Sequence, residues 1–479
     1  MRGSVLTQSM AAFALGLRLG DVPAAEVRRA TRLVADGLAC ALGARGEPLA
    51  RRLAVYARRQ SAPAAARATL LVGGRATPAL AALANGTALR LLDANDLYLP
   101  PPGGRDGGHF SDALSALLGA AEVARASGAA LLSAVIAAYE LQALVADAAD
   151  WRGRGWHPVT PLIWALPAPL ARLHGRSLAE AVAATSMAGT TGQALQSWLR
   201  PDVPVTALKS VAPGLVGQRA VEAVELAAEG VTAPPDALEV MLRQLGCAPE
   251  AVPVDRLGRT WTLDRHIVKR YPAQYLLQGA VEATLALHAQ GVRAEHVEAV
   301  TVYGHAGVCG GVHAAPHAYA PASHEDADHS TPFVVALALL RGRLTPADYA
   351  DAPWQAPDVR ALMGRVRLIE TPERQRAYVE RRLIGCEVVV RLRDGSERRA
   401  AVAQPHGHPD APLGDADLVA KLDDLLAGAL GPAGGQRLLA ACAALPAAPT
   451  LDPLLALVSE AAGAPPPPPN PAGFEVLRE

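Results

Sequence analysis

Apolar residues recur along most of this chain at three- and four-residue spacing, the period of an amphipathic helix. Val27, Ala30, Leu33, Val34 and Leu38 share one face of a helix predicted over residues 23–43, and residues 49–59 and 77–92 repeat the pattern. Residues 111–127 and 129–149 read as a helical hairpin joined at Ser127-Gly128. Further helices are predicted at 177–194, 213–230 and 234–245, with an extended stretch over 201–208. Beyond about residue 263 the period changes. Residues 271–290 remain helical, whereas 296–303 (HVEAVTVY) and 365–370 alternate in the manner of half-buried strands. Residues 386–402 read as a hairpin turning at Asp394-Gly395. Short helices at 331–341, 346–349 and 359–363 lie among these strands, and the helical period returns from residue 413.

This order predicts a mostly α protein whose helical body is interrupted by an α+β insert. The chain divides into a helical part at 1–265, an α+β part at 266–403, a helical return at 404–462 and a proline-rich, flexible tail at 463–479. Aromatic residues make up only 4% and alanine is abundant, which favours close-packed helices over a β-sandwich. The 45 basic and 46 acidic residues leave no basic excess for nucleic acid or an anionic membrane. Cys40, Cys247, Cys309, Cys386 and Cys442 lack paired spacing, which argues against a disulfide framework or zinc ribbon and for a reducing cytoplasm. The opening residues faintly resemble a signal peptide, but Arg18 interrupts their apolar part, so an ordinary first helix of a soluble protein is expected.

Of the 45 basic residues only Lys209, Lys269 and Lys421 are lysines. A lysine offers a compact charge whose pKa moves on burial, unlike the arginine used elsewhere. Lys421, in DADLVAKLDDLL, reads as part of a solvated helix face. Lys209 (VTALKSVAPG) and Lys269 (RHIVKRYPAQY) have apolar or aromatic neighbours and are candidates for function.

The stretch 91–112, LLDANDLYLPPPGGRDGGHFSD, ends a helix in Asp93, Asn95 and Asp96 and crosses prolines and glycines that cannot continue it. It opens the next helix at His109. It predicts a loop holding titratable side chains at the rim of the helical body. Ser111 or Asp112 suits a helix cap, and Asp112 equally suits a site role. His109, His157 and His329 each stand where a loop meets a helix beside glycine, proline or an acid, a rigid setting that suits proton transfer. His174, His266, His288 and His296 default to surface or core roles. His305, His313, His317 and His324 fall in a loop rich in glycine, alanine and proline and are expected to be solvated. His406 and His408 are a pair without a third metal ligand nearby in sequence, and neither HExxH nor a phosphate-binding glycine fingerprint occurs. Acid/base chemistry without cofactor or metal is therefore expected.

Six segments, taken in order, resemble one family. ANGTALRLLDANDLYL is similar to its segment ending in Asp-Phe-Asx-Asp-Thr, GGHFSDALSALL to its Gly-His-Pro-Ser-Asp helix start, and GWHP to its second histidine motif. VTALKSVAPGLVGQRAVEAVELA is similar to its lysine segment, VKRYPAQYLLQGAVEA to its Lys-x-Tyr-Pro segment, and EDADHSTPFVVALALLRG to the Ala-Asp-His-Ser of its dehydratase branch. The chain thus resembles the MmgE/PrpD family of 2-methylcitrate dehydratases, cis-aconitate decarboxylases and iminodisuccinate epimerases. The resemblance implies a large helical domain built from both chain ends, a smaller α+β lid over the cleft, a homodimer and no organic cofactor. It places Asp93, His109, His157, Lys209 and Lys269 at the family's active-site positions. Lys209 and Lys269 would hold substrate carboxylates; Arg270 either assists them or keeps a surface role, and Asp112 and His329 are further substrate-binding candidates. His109 and His157 would exchange protons, and Asp93 would orient one imidazole.

Four departures accompany the resemblance: Phe110 replaces a proline, Leu97 a threonine, Leu276 a polar residue and Leu208 an aromatic. They predict a more apolar pocket, and PPPGGRDGG is where substrate preference is expected to vary. The resulting expectation is a lyase that dehydrates a hydroxylated di- or tricarboxylic acid. A decarboxylase or isomerase of a related acid is the alternative enzyme, and a dimeric scaffold that binds a carboxylate without turnover is the non-enzymatic alternative.

Overall fold

A computed structural model describes residues 6–102, 107–197 and 199–463; the proline-rich tail and part of PPPGGRDGG lie outside them. Apolar side chains collect in two main cores. One joins helices from residues 6–263 with those of the C-terminal return, through Leu418, Leu422, Leu438 and Val458 among others. The second belongs to the α+β part, with Leu97 and Leu99 reaching into it from the helical body. The architecture is mostly α with a small α+β part, as the period change predicts.

Five helices of the body position the site: α1 (Ala24–Gly43), α2 (Pro78–Leu91), α3 (Leu114–Val123), α4 (Gly128–Asp147) and α5 (Leu208–Ala228). Proline at the start of α2 suits a first turn, where its missing N–H is not needed. α4 is 20 residues long and apolar enough to cross a membrane, but 89% of its apolar window is buried within the protein, so it is a core helix. α5 begins at Leu208 rather than near Pro213, and carries Pro213 inside it. The lost backbone bond is offset by close packing on α2. A Cβ on Gly214 would lie 2.2 Å from the Leu83 carbonyl oxygen, and one on Gly86 would lie 2.7 Å from the Gly214 Cα. Only glycine permits this approach, and it fixes Lys209, in the first turn of α5, relative to the end of α2.

Two short strands, β1 (Leu97–Tyr98) and β2 (His266–Ile267), pair antiparallel where the chain leaves the body. The α+β part then forms α6 (Gln278–Ala289), β3 (Val297–Gly304), α7 (Thr331–Arg341), β4 (Val366–Glu370), α8 (Pro372–Arg381), β5 (Cys386–Leu392) and β6 (Glu397–Val402). The sheet order is β4-β3-β5-β6, with β3 and β4 parallel and the other pairs antiparallel. α8 escapes the period analysis because PERQRAYVER has no buried residue and hence no apolar stripe. Three helices, Asp415–Leu426, Gly434–Ala443 and Asp452–Gly463, return to the body.

Candidate active site

Asp93 follows α2 directly and takes a left-handed backbone conformation with φ of 44°, strained for a residue with a side chain. The turn buries its carboxylate, leaving the residue 2% exposed. Lys269 arrives just after β2, so the β1–β2 ribbon delivers it to this loop. Its ammonium donates to the Asp93 carboxylate and to the Asp93 carbonyl. Lys209 lies 3.0 Å from the other Asp93 oxygen and donates to Asp328 at 2.8 Å. His329 Nδ1 bonds Asp328 and sits 3.8 Å from Asp93. The pairs are reciprocal: a lysine of the α+β part meets an aspartate of the body, and a lysine of the body meets an aspartate of the α+β part.

The charges respond to one another. Burial works against the ionised form of Asp93, but Lys209 and Lys269 together hold its carboxyl well below the usual range. Burial also opposes the Lys209 charge, yet Asp328 and Asp93 raise its pKa. For Lys269 burial wins, with help from Lys209 and Arg90, and its pKa falls. The two lysines are therefore unequal, and Lys269 is the more acidic for its surroundings. Asp93, Asp328 and His329 are the group of described residues with metal-ligand spacing. Their carboxylates are directed at ammonium groups, which a divalent ion would have to displace.

The two histidine loops touch. A Cβ on Gly108 would lie 3.1 Å from the Pro158 carbonyl oxygen, so the residues beside His109 and His157 are in contact. His157 is buried, and its Nδ1 accepts the Val159 N–H at 3.2 Å. A neutral ring so held carries its proton on Nε2. Burial, then Arg90 and Arg152, hold the His157 pKa well below the ordinary value. Burial, then Arg90 and Lys269, do the same for His109, outweighing Asp93. Both imidazoles are neutral near pH 7 and suited to accept a proton.

Beneath these loops runs a buried polar chain. Arg90 pairs with Asp112 at 2.6 Å, and the Asn95 amide donates to Ser111 at 3.0 Å and to Asp112 at 3.4 Å. Asp96 accepts the Ser111 N–H at 3.1 Å and holds His266 Nδ1 at 2.7 Å. This chain ties the 93–96 turn to the 109–112 turn. It corrects the cap reading: neither Ser111 nor Asp112 caps α3, and burial pushes the Asp112 carboxyl up to about 7 against the pull of Arg90.

Of the two roles open to Arg270, its pairing with Asp424 at 2.9 Å favours the surface one. Other expectations change. Lys421 is not solvated; it is 2% exposed, paired with Asp36 and bonded to the Ala94 carbonyl at 2.8 Å. His305 and His313 are buried, and the half-buried His324 stacks on Tyr349 4.6 Å away. His317 bonds Asp326 at 2.7 Å. The loop that carries these histidines packs into the domain junction, so its glycines and prolines mark compactness rather than solvation. Phe110 does not line the centre: its ring stacks on Tyr98 at 4.7 Å and meets His266 edge-on at 5.0 Å. Leu97 packs into the α+β core, and Leu208 is 42% exposed. Arg90 and Asp328 went unnoticed in sequence, although Arg90 precedes Asp93 by three residues and Asp328 precedes His329.

This centre, two neutral imidazoles beside paired ammonium and carboxylate groups at a domain junction, is equipped for acid/base work on an anionic molecule. The MmgE/PrpD N-terminal domain matches residues 8–244 and the MmgE/PrpD C-terminal domain residues 271–445. The chain belongs to the MmgE/PrpD family and is a lyase. Among its relatives, 2-methylcitrate dehydratases of Cupriavidus necator and Escherichia coli are 30% identical over 352 residues, 69% of this chain and 71% of each of those proteins. The cis-aconitate decarboxylase of Mus musculus is 23% identical over 433 residues, covering 86% of this chain and 85% of that protein.

Proposed function

We propose that this lyase dehydrates a hydroxylated di- or tricarboxylic acid of the 2-methylcitrate type. The observation that carries the reading is the paired-lysine centre. Two buried ammonium groups share Asp93, and Lys209 also reaches Asp328, so an incoming carboxylate finds cations already desolvated and held in place. In this reading His109 or His157, each neutral, takes the proton from carbon. The hydroxyl on the neighbouring carbon departs as water and needs a proton of its own. Lys269, acidified by its surroundings, is the cation suited to supply it. The imidazolium then returns its proton to solvent and the lysine is reprotonated, so the cycle closes without an external reagent.

The similarity to a cis-aconitate decarboxylase over most of the chain favours one second reading, decarboxylation of an unsaturated relative. There the same ammonium groups stabilise the carbanion as carbon dioxide leaves, and an imidazole protonates carbon. Incubation with 2-methylcitrate, citrate and cis-aconitate separates the two. A new ultraviolet-absorbing double bond from either hydroxy acid supports dehydration, and carbon dioxide released from cis-aconitate supports the second reading. Turnover of none of them overturns both.

A further inference from the structure

Beyond the lysines lies a pair of buried imidazoles that these proton transfers do not use. His305 is fully buried and stacks on Tyr378, with centroids 4.3 Å and planes 5° apart. Its Nδ1 accepts the Gly307 N–H at 3.1 Å. The neutral ring therefore carries its proton on Nε2, and that atom is buried with no hydrogen-bond partner among the described residues. His313, 7% exposed, is the neighbouring imidazole, and its own Nε2 also lacks a partner among the described residues. A neutral imidazole carries its proton on one ring nitrogen and a lone pair on the other. His305, held by the Gly307 N–H, thus offers a donor, and His313 is free to offer an acceptor.

The pair borders the lysine centre. His313 stacks on His329 with centroids 5.8 Å and planes 7° apart, and His329 bonds the Asp328 that holds Lys209. Leu276 closes another side, with a methyl carbon 2.7 Å from where a Cβ on Gly307 would stand. Burial keeps both rings neutral, pushing His305 to about 4 and His313 to about 3. Buried polar atoms without partners are costly, and a ligand group that satisfies them is correspondingly favoured.

We propose that His305 and His313 form a hydroxyl-recognising subsite, His305 donating to and His313 accepting from the hydroxyl of a hydroxy acid whose carboxylate lies at Lys209, while Lys269 remains the proton donor to that hydroxyl. A carboxylate cannot donate and an ammonium cannot accept; a hydroxyl does both. The subsite rests on the hydroxy-acid reading above and names the group that the pair reads.

Citrate and tricarballylate differ by one hydroxyl, and calorimetric titration of the full chain with each tests the proposal. The wild type is expected to bind citrate about tenfold more tightly, because a site built to bond a hydroxyl rejects the analogue that lacks it. His305→Phe and His313→Phe each keep a ring against Tyr378 or His329. Either variant, once its thermal midpoint shows it folded, is expected to bring the two affinities within about twofold by weakening citrate alone. Retention of the citrate preference in both variants overturns the subsite. Equal binding by the wild type overturns it too, while leaving the carboxylic-acid reading in place. Binding of neither acid overturns both.

Discussion

Two buried lysine clusters lie within a few residues of each other and behave differently. Lys421 has one carboxylate, Asp36, and one carbonyl, Ala94; it braces the turn after Asp93 from behind. In the other cluster Lys209 and Lys269 share Asp93, and Lys209 also reaches Asp328. The first is a closed one-to-one pair with no imidazole among its hydrogen-bond partners. The second distributes two positive and two negative charges across a domain junction, beside His329 and near His109. Burial of a lysine in an arginine-rich chain is therefore not a functional signature by itself. Shared partners and neighbouring proton acceptors distinguish the cluster that can exchange an internal carboxylate for an external one.

The sharpest contrast comes from matched substitutions. Lys209→Met is expected to lower kcat/KM on the order of 10²–10³-fold, the scale for removing one preorganised charge donor, in steady-state assays of the active hydroxy acid. Unchanged kinetics would make Lys209 structural and erase the distinction. Lys421→Met is expected to cost about 3–5 kcal/mol in denaturant unfolding, because it strands a buried Asp36. Its folded fraction should keep kcat/KM within a few-fold; a loss as large as that of Lys209→Met would merge the two clusters into one site.

A pH series follows from the imidazoles. His109 and His157 have native pKa values held well below 6.5 by burial and nearby cations. The unfolded chain binds protons near 6.5 that the native state refuses, so stability is expected to fall as pH drops below about 6.5. The acid limb of kcat/KM should lie below 6.5 as well, and an inflection at 6.5 would show the base to be an ordinary solvated histidine. The smallest effect is expected for Arg270→Ala. This exposed pair with Asp424 is worth about 0–1 kcal/mol, and kinetics should stay within about twofold.

Much of this was legible in the sequence, and for identifiable reasons. Helical period located α1, and alternation located β3 and β5, because those elements bury one face; α2, α4 and α7 stood out as long apolar runs because they are buried nearly all round. Local motifs pointed to Asp93, Lys209, Lys269 and His329, which the fold brings within ion-pair distance, and to His109 and His157, whose loops touch. What escaped depends on contacts between distant segments. Lys421 looks solvated in its own helix because Asp36 lies 385 positions away. His305 and His313 look like loop residues because their burial is set by packing of the α+β part. Phe110 looks like a pocket wall until Tyr98 and His266 are seen to claim its ring.

The reciprocal pairing of lysines and aspartates also limits how this protein can be taken apart. Lys269 and Asp328 travel with the α+β part, whereas Asp93 and Lys209 stay with the body, so neither half is electrically complete when inherited separately. A chimera that exchanges the insert between relatives must import a matched lysine and aspartate together with it. Recombination at the two junctions is thereby restricted to donors that share this charge pattern, while loops away from the seam remain open to replacement.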